Sequence, residues 1–153
     1  MATKTTEIRM PGTPKPWMNT VMRGLLRTPG LRRLLGGAFG VITVTGARTG
    51  NSYSTPVQPM EIDGEYVVLS QLHRTWWRNI RTHPEVELLV RGTTISAHAT
   101  LAEGTEAHDR LTTCLERNPR VARFYGISSD PVDPATVDAL LDRVVVIVIH
   151  PDT

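Results

Sequence analysis

Two glycine-bearing turns constrain this chain more than any other feature. Asp63-Gly64 stands between the β-rich runs Met60–Ile62 and Tyr66–Leu69. Arg91-Gly92-Thr93 stands between Val86–Val90 and Thr94–Leu101. Asp-Gly between such runs signals a two-residue hairpin, because both residues tolerate the positive φ that its turn requires. Hairpins pair neighbouring strands antiparallel, so the sheet is expected to be antiparallel. Val41–Thr45 is another β-rich run. Tyr53–Ile62 reads as one strand interrupted by Pro56 and Pro59. Proline has no ladder donor, so this strand belongs at an edge or a bulge. Val144–Ile149 is almost continuously β-branched and reads as a buried strand. The count is about six strands.

Helices are expected around this sheet. Trp17, Met18, Val21, Met22, Leu25 and Leu26 recur at helical spacing. Thr28-Pro29 can cap a second short helix through Leu35. Thr75 can cap another through Arg81, which Pro84 stops. Ala107, Leu111, Cys114 and Leu115 share a helical face. Asp133-Pro134 starts a last helix with Val137, Leu140 and Leu141 as its stripe. Pro11, Gly12, Pro14 and Pro16 make residues 1–16 a flexible tail. The expected fold is one α+β domain over 17–153, an antiparallel sheet or small barrel with peripheral helices.

Composition excludes several classes. At 153 residues, 40% hydrophobic and 21% charged, the chain has the means for one packed core and is not disordered. Val144–Ile149 is the longest apolar run, far short of the roughly 20 residues of a membrane span. Cys114 is the single cysteine, so no internal disulfide forms, and with no apolar signal-peptide core a cytoplasmic protein is expected. Five histidines lack ligand spacing, so no metal is expected. The net charge of +2 hides an asymmetry. Residues 1–50 carry eight bases and one acid, and the remainder nine bases and fourteen acids. The basic N-terminal helix has two readings, a cover for the core or a peripheral membrane contact.

Two segments carry candidate chemistry. In Thr45-Gly46-Ala47-Arg48-Thr49-Gly50-Asn51-Ser52, two glycines permit a tight turn and Arg48 offers a planar fork of donors. It reads either as an anion cradle or as a polar turn with a solvated arginine. In Ser70-Gln71-Leu72-His73-Arg74-Thr75-Trp76-Trp77-Arg78-Asn79-Ile80-Arg81, two of the three tryptophans sit among three arginines. On an α-helix Trp76 and Ile80 would share the core face, and Trp77 and Arg81 could stack. This reads either as a platform for a planar anion or as core tryptophan beside a solvated basic face. Net charge and the absence of a nucleic-acid motif disfavour nucleic acid.

Order and spacing of these two segments resemble the deazaflavin (coenzyme F-420)-dependent nitroreductase and quinone reductase family. The first family motif corresponds to Thr45-Gly46-Ala47-Arg48-Thr49-Gly50, followed by Pro56. The second corresponds to Asp63-Gly64, Ser70, Trp76-Trp77-Arg78-Asn79, Arg81 and Pro84. The resemblance implies a split β-barrel, with Arg48, Thr49 and Gly50 on the coenzyme's phosphate tail. It further implies that Ser70, Gln71, His73, Arg74, Trp76 and Trp77 flank the deazaflavin ring, and that Asn79 is a further coenzyme-binding residue. The chain departs from the family pattern where Tyr53 replaces a basic residue and where Gln71–Arg74 replaces a Gly-Gly loop. The implied activity is hydride transfer to a quinone, enone or other hydrophobic activated acceptor, with Tyr53 or Tyr125 as the proton source. Flavin mononucleotide or a haem-type ligand in the same barrel, or a lipid binder without catalysis, are the alternatives. A homodimer would pair along the exposed edge of the Tyr53–Met60 strand.

Overall fold

The computed structural model describes residues 40–127 and 131–152. The expected 1–16 tail and the two helices before Gly40, with their membrane-contact reading, lie outside the described residues. Seven strands form one antiparallel sheet in the order β2-β1-β5-β6-β7-β4-β3. They are β1 (Gly40–Thr45), β2 (Ser52–Val57), β3 (Met60–Ile62), β4 (Glu65–Gln71), β5 (Glu85–Val90), β6 (Thr93–Leu101) and β7 (Val144–Pro151). The Tyr53–Ile62 segment is therefore two strands, broken at Gln58-Pro59, and they occupy opposite edges of the sheet. Pro56 lies in β2, opposite Val41, where an outer edge makes its missing N–H harmless.

Both predicted hairpins form. Asp63 and Gly64 have φ of 53° and 83°, and Arg91 and Gly92 have φ of 51° and 79°. Each is a two-residue turn in the left-handed region, which matches the twist of the flanking strands. The second turn is one residue shorter than the sequence spacing implied, because Thr93 already pairs with Val90.

The sheet has two buried faces. On one, Ile42, Val44, Val68, Leu88, Ile147 and Ile149 form a barrel-like interior, closed by Trp77 and Ile80. On the other, Val67, Val144 and Val146 pack against three helices. These are α1 (Gly104–Arg117), α2 (Pro119–Phe124) and α3 (Pro134–Leu141). Ala107, Leu111, Cys114 and Leu115 all face this core as the helical spacing predicted. Asp133 caps α3 by accepting from the Ala135 N–H at 2.9 Å. Burial on both faces explains why β7 needs an unbroken β-branched run. Among the described residues no helix is long and apolar enough to cross a membrane.

The Trp76–Arg81 segment is a 3-10 helix, not an α-helix, and Thr75 gives it no side-chain cap. At three residues per turn, positions i and i+3 share a face. Trp77 and Ile80 therefore enter the core, in place of the Trp76 and Ile80 expected from α-helical spacing.

Candidate functional site

The β1–β2 loop is self-bonded. Gly46 N–H donates to Asn51 O at 2.7 Å, and Gly50 N–H donates to Gly46 O at 3.0 Å. Thr49 Oγ1 accepts from Asn51 N–H and shares a hydrogen bond with the Tyr53 hydroxyl, both at 3.2 Å. The Tyr53 ring lies on Gly46 so closely that a Cβ there would fall 2.5 Å from Tyr53 Cε2. Gly50 holds φ +70° with open space around it. Four of the loop's N–H donors are consumed, counting Ala47, and the Arg48 side chain remains available to meet an anion. Arg48 is exposed and forms no ion pair among the described residues.

One side chain fastens this loop to the tryptophan segment. Asn79 Oδ1 accepts from Ala47 N–H at 3.0 Å, while its Nδ2 donates to Trp76 O at 3.1 Å. Two segments separated by 32 positions are thereby joined. Arg74 reaches back across the same region, its Nη2 donating to Thr55 Oγ1 on β2 at 3.2 Å. Burial lowers the Arg74 pKa from its ordinary value. Ser70 and Gln71 are buried at the end of β4, with Ser70 Oγ donating to Gln71 O at 3.3 Å, and His73 is exposed in the turn that follows.

Trp77 does not present a free ring face. It is 4% exposed, and the guanidinium groups of Arg78 and Arg81 each lie 5.4 Å from its ring centroid. The expected Trp77–Arg81 stack is present, joined by Arg78. The indole N–H groups of Trp76 and Trp77 are buried with no hydrogen-bond partner among the described residues.

Tyr125 is not brought to this group. It follows α2, where the sequence reading placed a linking segment, and packs in the helix-side core. It is 5% exposed, and that burial pushes its phenol up to about 12. Tyr53, by contrast, is 47% exposed beside the loop.

A cleft of about 730 Å³ opens at the same end of the sheet. Leu72, Leu101, Leu141 and Val145 form its apolar lining, and Trp77 and Arg81 connect it to the 3-10 helix. Sequence reasoning missed it because residues 72–81, 101–108 and 138–146 meet only in three dimensions. No short-range pattern announces such a junction.

These residues fit a flat, anionic coenzyme. A solvent-facing arginine on a loop with room at Gly50 suits a phosphate, and the arginines at 74, 78 and 81 suit a polar, anionic ring system. The curled antiparallel sheet with peripheral helices is a split barrel. Its solved relatives include an F420-H2 dependent reductase (FDR-A), with 20% identity over 74% of this chain and 94% of that one, at a TM-score of 0.55. A protein described as a domain-swapped dimer shares 19% identity over 86% of this chain and 93% of its own, at 0.57. A putative pyridoxamine 5'-phosphate oxidase from Listeria innocua shares 18% identity over 76% and 85%, at 0.50. No curated protein matches the chain.

The class defined by this fold is that of the split-barrel proteins. Residues 19–129 match the F420H(2)-dependent quinone reductase family, and the chain belongs to that family. It is thus an oxidoreductase whose coenzyme is the deazaflavin F420.

Proposed function

We propose that this chain transfers a hydride from the reduced deazaflavin to a quinone or a chemically related enone. The observation that carries the site assignment is the Asn79 bracket, which makes one unit of the Arg48 loop and the tryptophan-arginine helix. Arg48 binds the phosphate tail, the Thr49 hydroxyl adds a second polar contact, and Gly50 supplies room. Ser70, Gln71, His73 and Arg74 border the ring on one side, and Trp76 and the Trp77 edge border it on the other. The bound coenzyme supplies the hydride, and the protein supplies orientation and electrostatics. The exposed Tyr53 hydroxyl, which shares a hydrogen bond with Thr49, bonds the acceptor oxygen and gives it a proton. A second copy of the chain pairs along the open edge of β2, and light scattering at several concentrations checks this.

Arg48→Ala tests the assignment. A charge-assisted contact contributes about 1.5–3 kcal/mol, so coenzyme affinity should fall about 10- to 150-fold. Fluorescence titration of the coenzyme, repeated at rising salt, reads it. Unchanged affinity removes the anion loop from the site.

A further inference from the structure

The cleft of about 730 Å³ is not used by the tail-binding loop. Leu72, Leu101, Leu141 and Val145 make its lining apolar. Leu72 is 45% exposed, and with Tyr53 and Phe124 it is one of the large apolar side chains left to solvent among the described residues. The charged rim is mainly acidic: Glu103, Asp138 and Asp142 line it, against Arg81. His108, also in the wall, is already turned to Asp138, with Nε2 3.5 Å from Oδ1. Such a site suits an occupant that is apolar on one side and basic around it.

The chain carries a segment of that description. Trp17, Met18, Val21, Met22, Leu25 and Leu26 recur at helical spacing. Projected at 3.6 residues per turn they cover one side of a helix, with Arg23 and Arg27 outside the stripe. Lys15, Arg32 and Arg33 flank the segment, and residues 8–50 contain no acid. The long stem of an arginine lets its charge reach carboxylates at the edge of an apolar site.

The tether is long enough. Gly40 pairs with Val90 beside the β5–β6 turn, whereas the cleft lies where β6 ends at Leu101. The nine residues of β6 measure about 30 Å, and the three strand steps from β1 to β7 add about 14 Å sideways, so the span is roughly 33 Å. Residues 27–39 reach about 43 Å when extended. Tethering sets an effective concentration on the order of millimolar, so even a weak contact is populated.

We infer that residues 17–27 dock in this cleft of their own chain, with the apolar stripe on Leu72, Leu141 and Val145 and the arginines turned to Glu103, Asp138 and Asp142. The basic N-terminal segment and the acidic rim are then two halves of one contact. Docking withholds the stripe from lipid, so it excludes membrane contact through the same residues. It needs no coenzyme and stands apart from the reductase reading.

Paramagnetic broadening in the full chain tests this. Asn19→Cys carries a nitroxide at the flank of the segment. Cys114 is buried, with its thiol pushed up to about 12, and stays unlabelled. The amide signals of Leu72, Thr105 and Leu141 should broaden first. The effect should vanish in a mixture of nitrogen-15 protein lacking the nitroxide with nitroxide protein lacking nitrogen-15. Leu72→Asp, at an exposed position, should lower the docking constant read from the broadening about tenfold. Glu103→Lys and Asp142→Lys, both exposed, should each lower it about threefold, and raised salt should act in the same direction. Broadening spread evenly or centred on another face overturns the inference. So does broadening in the mixed sample, which puts a second copy's segment in the cleft. Cleft signals that stay sharp while phosphatidylglycerol vesicles bind the segment overturn it in favour of the membrane. Cleft broadening that Leu72→Asp and both charge reversals leave unchanged overturns the assigned contacts.

Discussion

Asn79→Ala should separate the two ends of the coenzyme. The substitution removes the Asn79 Oδ1 bond from Ala47 N–H and the Asn79 Nδ2 bond to Trp76 O. Each such bond contributes about 0.5–1.5 kcal/mol net, and the partly buried side chain keeps the total near the lower half, about 1–2 kcal/mol. The Arg48 loop then loses its anchor on the helix and must be ordered by the ligand. At about 1.4 kcal/mol per tenfold, affinity for the full coenzyme should fall roughly 5- to 30-fold. A deazaflavin riboside without the phosphate tail contacts only the ring side, and its affinity should change less than about twofold by the same arithmetic. Calorimetric titration of both ligands against both proteins makes the comparison. Asn79→Asp retains the acceptor for Ala47 and should lose less than Asn79→Ala. Equal weakening of the two ligands, or full-coenzyme affinity that survives while stability falls, refutes the bracket as the link between loop and ring.

Gly46→Ala places a methyl 2.5 Å from Tyr53 Cε2, so the ring must leave and the Thr49–Tyr53 bond with it. Tyr53 is 47% exposed and can swing out, so the cost is mainly the lost hydrogen bond, about 0.5–1.5 kcal/mol, and an unchanged melting temperature would contradict the observed contact. Alkaline pH should destabilise the fold. Burial holds the Tyr125 phenol and the Cys114 thiol protonated up to about 12, whereas the unfolded chain releases both protons earlier. The folded state then binds more protons, so stability falls as pH rises past the ordinary value of 9.0 for the thiol and 10.0 for the phenol, approaching about 1.4 kcal/mol per pH unit for each group up to about pH 12. Urea unfolding at about pH 8 and about pH 10.5 measures the slope. Tyr125→Phe should lessen the loss above about pH 10 and leave the part due to Cys114, and a flat profile in the native protein would show that neither group stays protonated.

Much of the sheet was legible because turn chemistry is local. Asp63-Gly64 needs two left-handed residues side by side, and few sequences supply them. The run Val144–Ile149 announced a strand covered on both faces. The Trp76–Arg81 geometry was not legible in the same way. Periods of 3.0 and 3.6 differ by too little over six residues for an apolar pattern to choose between them. The choice was made by what the sheet's interior accommodates, namely Trp77 with Ile80. The loop and helix were each visible as candidate segments, but their union was not. It depends on one amide spanning 32 positions. Tyr125 misled for a related reason, since a tyrosine after a short helix looks the same in sequence whether its ring faces a groove or a core.

The position of β7 has a consequence for how the chain is made. It comes last among the described strands, yet it lies between β6 and β4 and bonds to both. During synthesis the ribosome therefore releases β2-β1-β5-β6 and the β4-β3 hairpin as two half-sheets with no common partner. Each exposes an open edge until Val144–Pro151 has left the exit tunnel. Unpaired edges of this kind recruit other chains. The nascent protein is most exposed to aggregation in that interval. A synonymous codon change that slows translation just before residue 144 should lower the soluble yield without altering a single contact in the finished molecule.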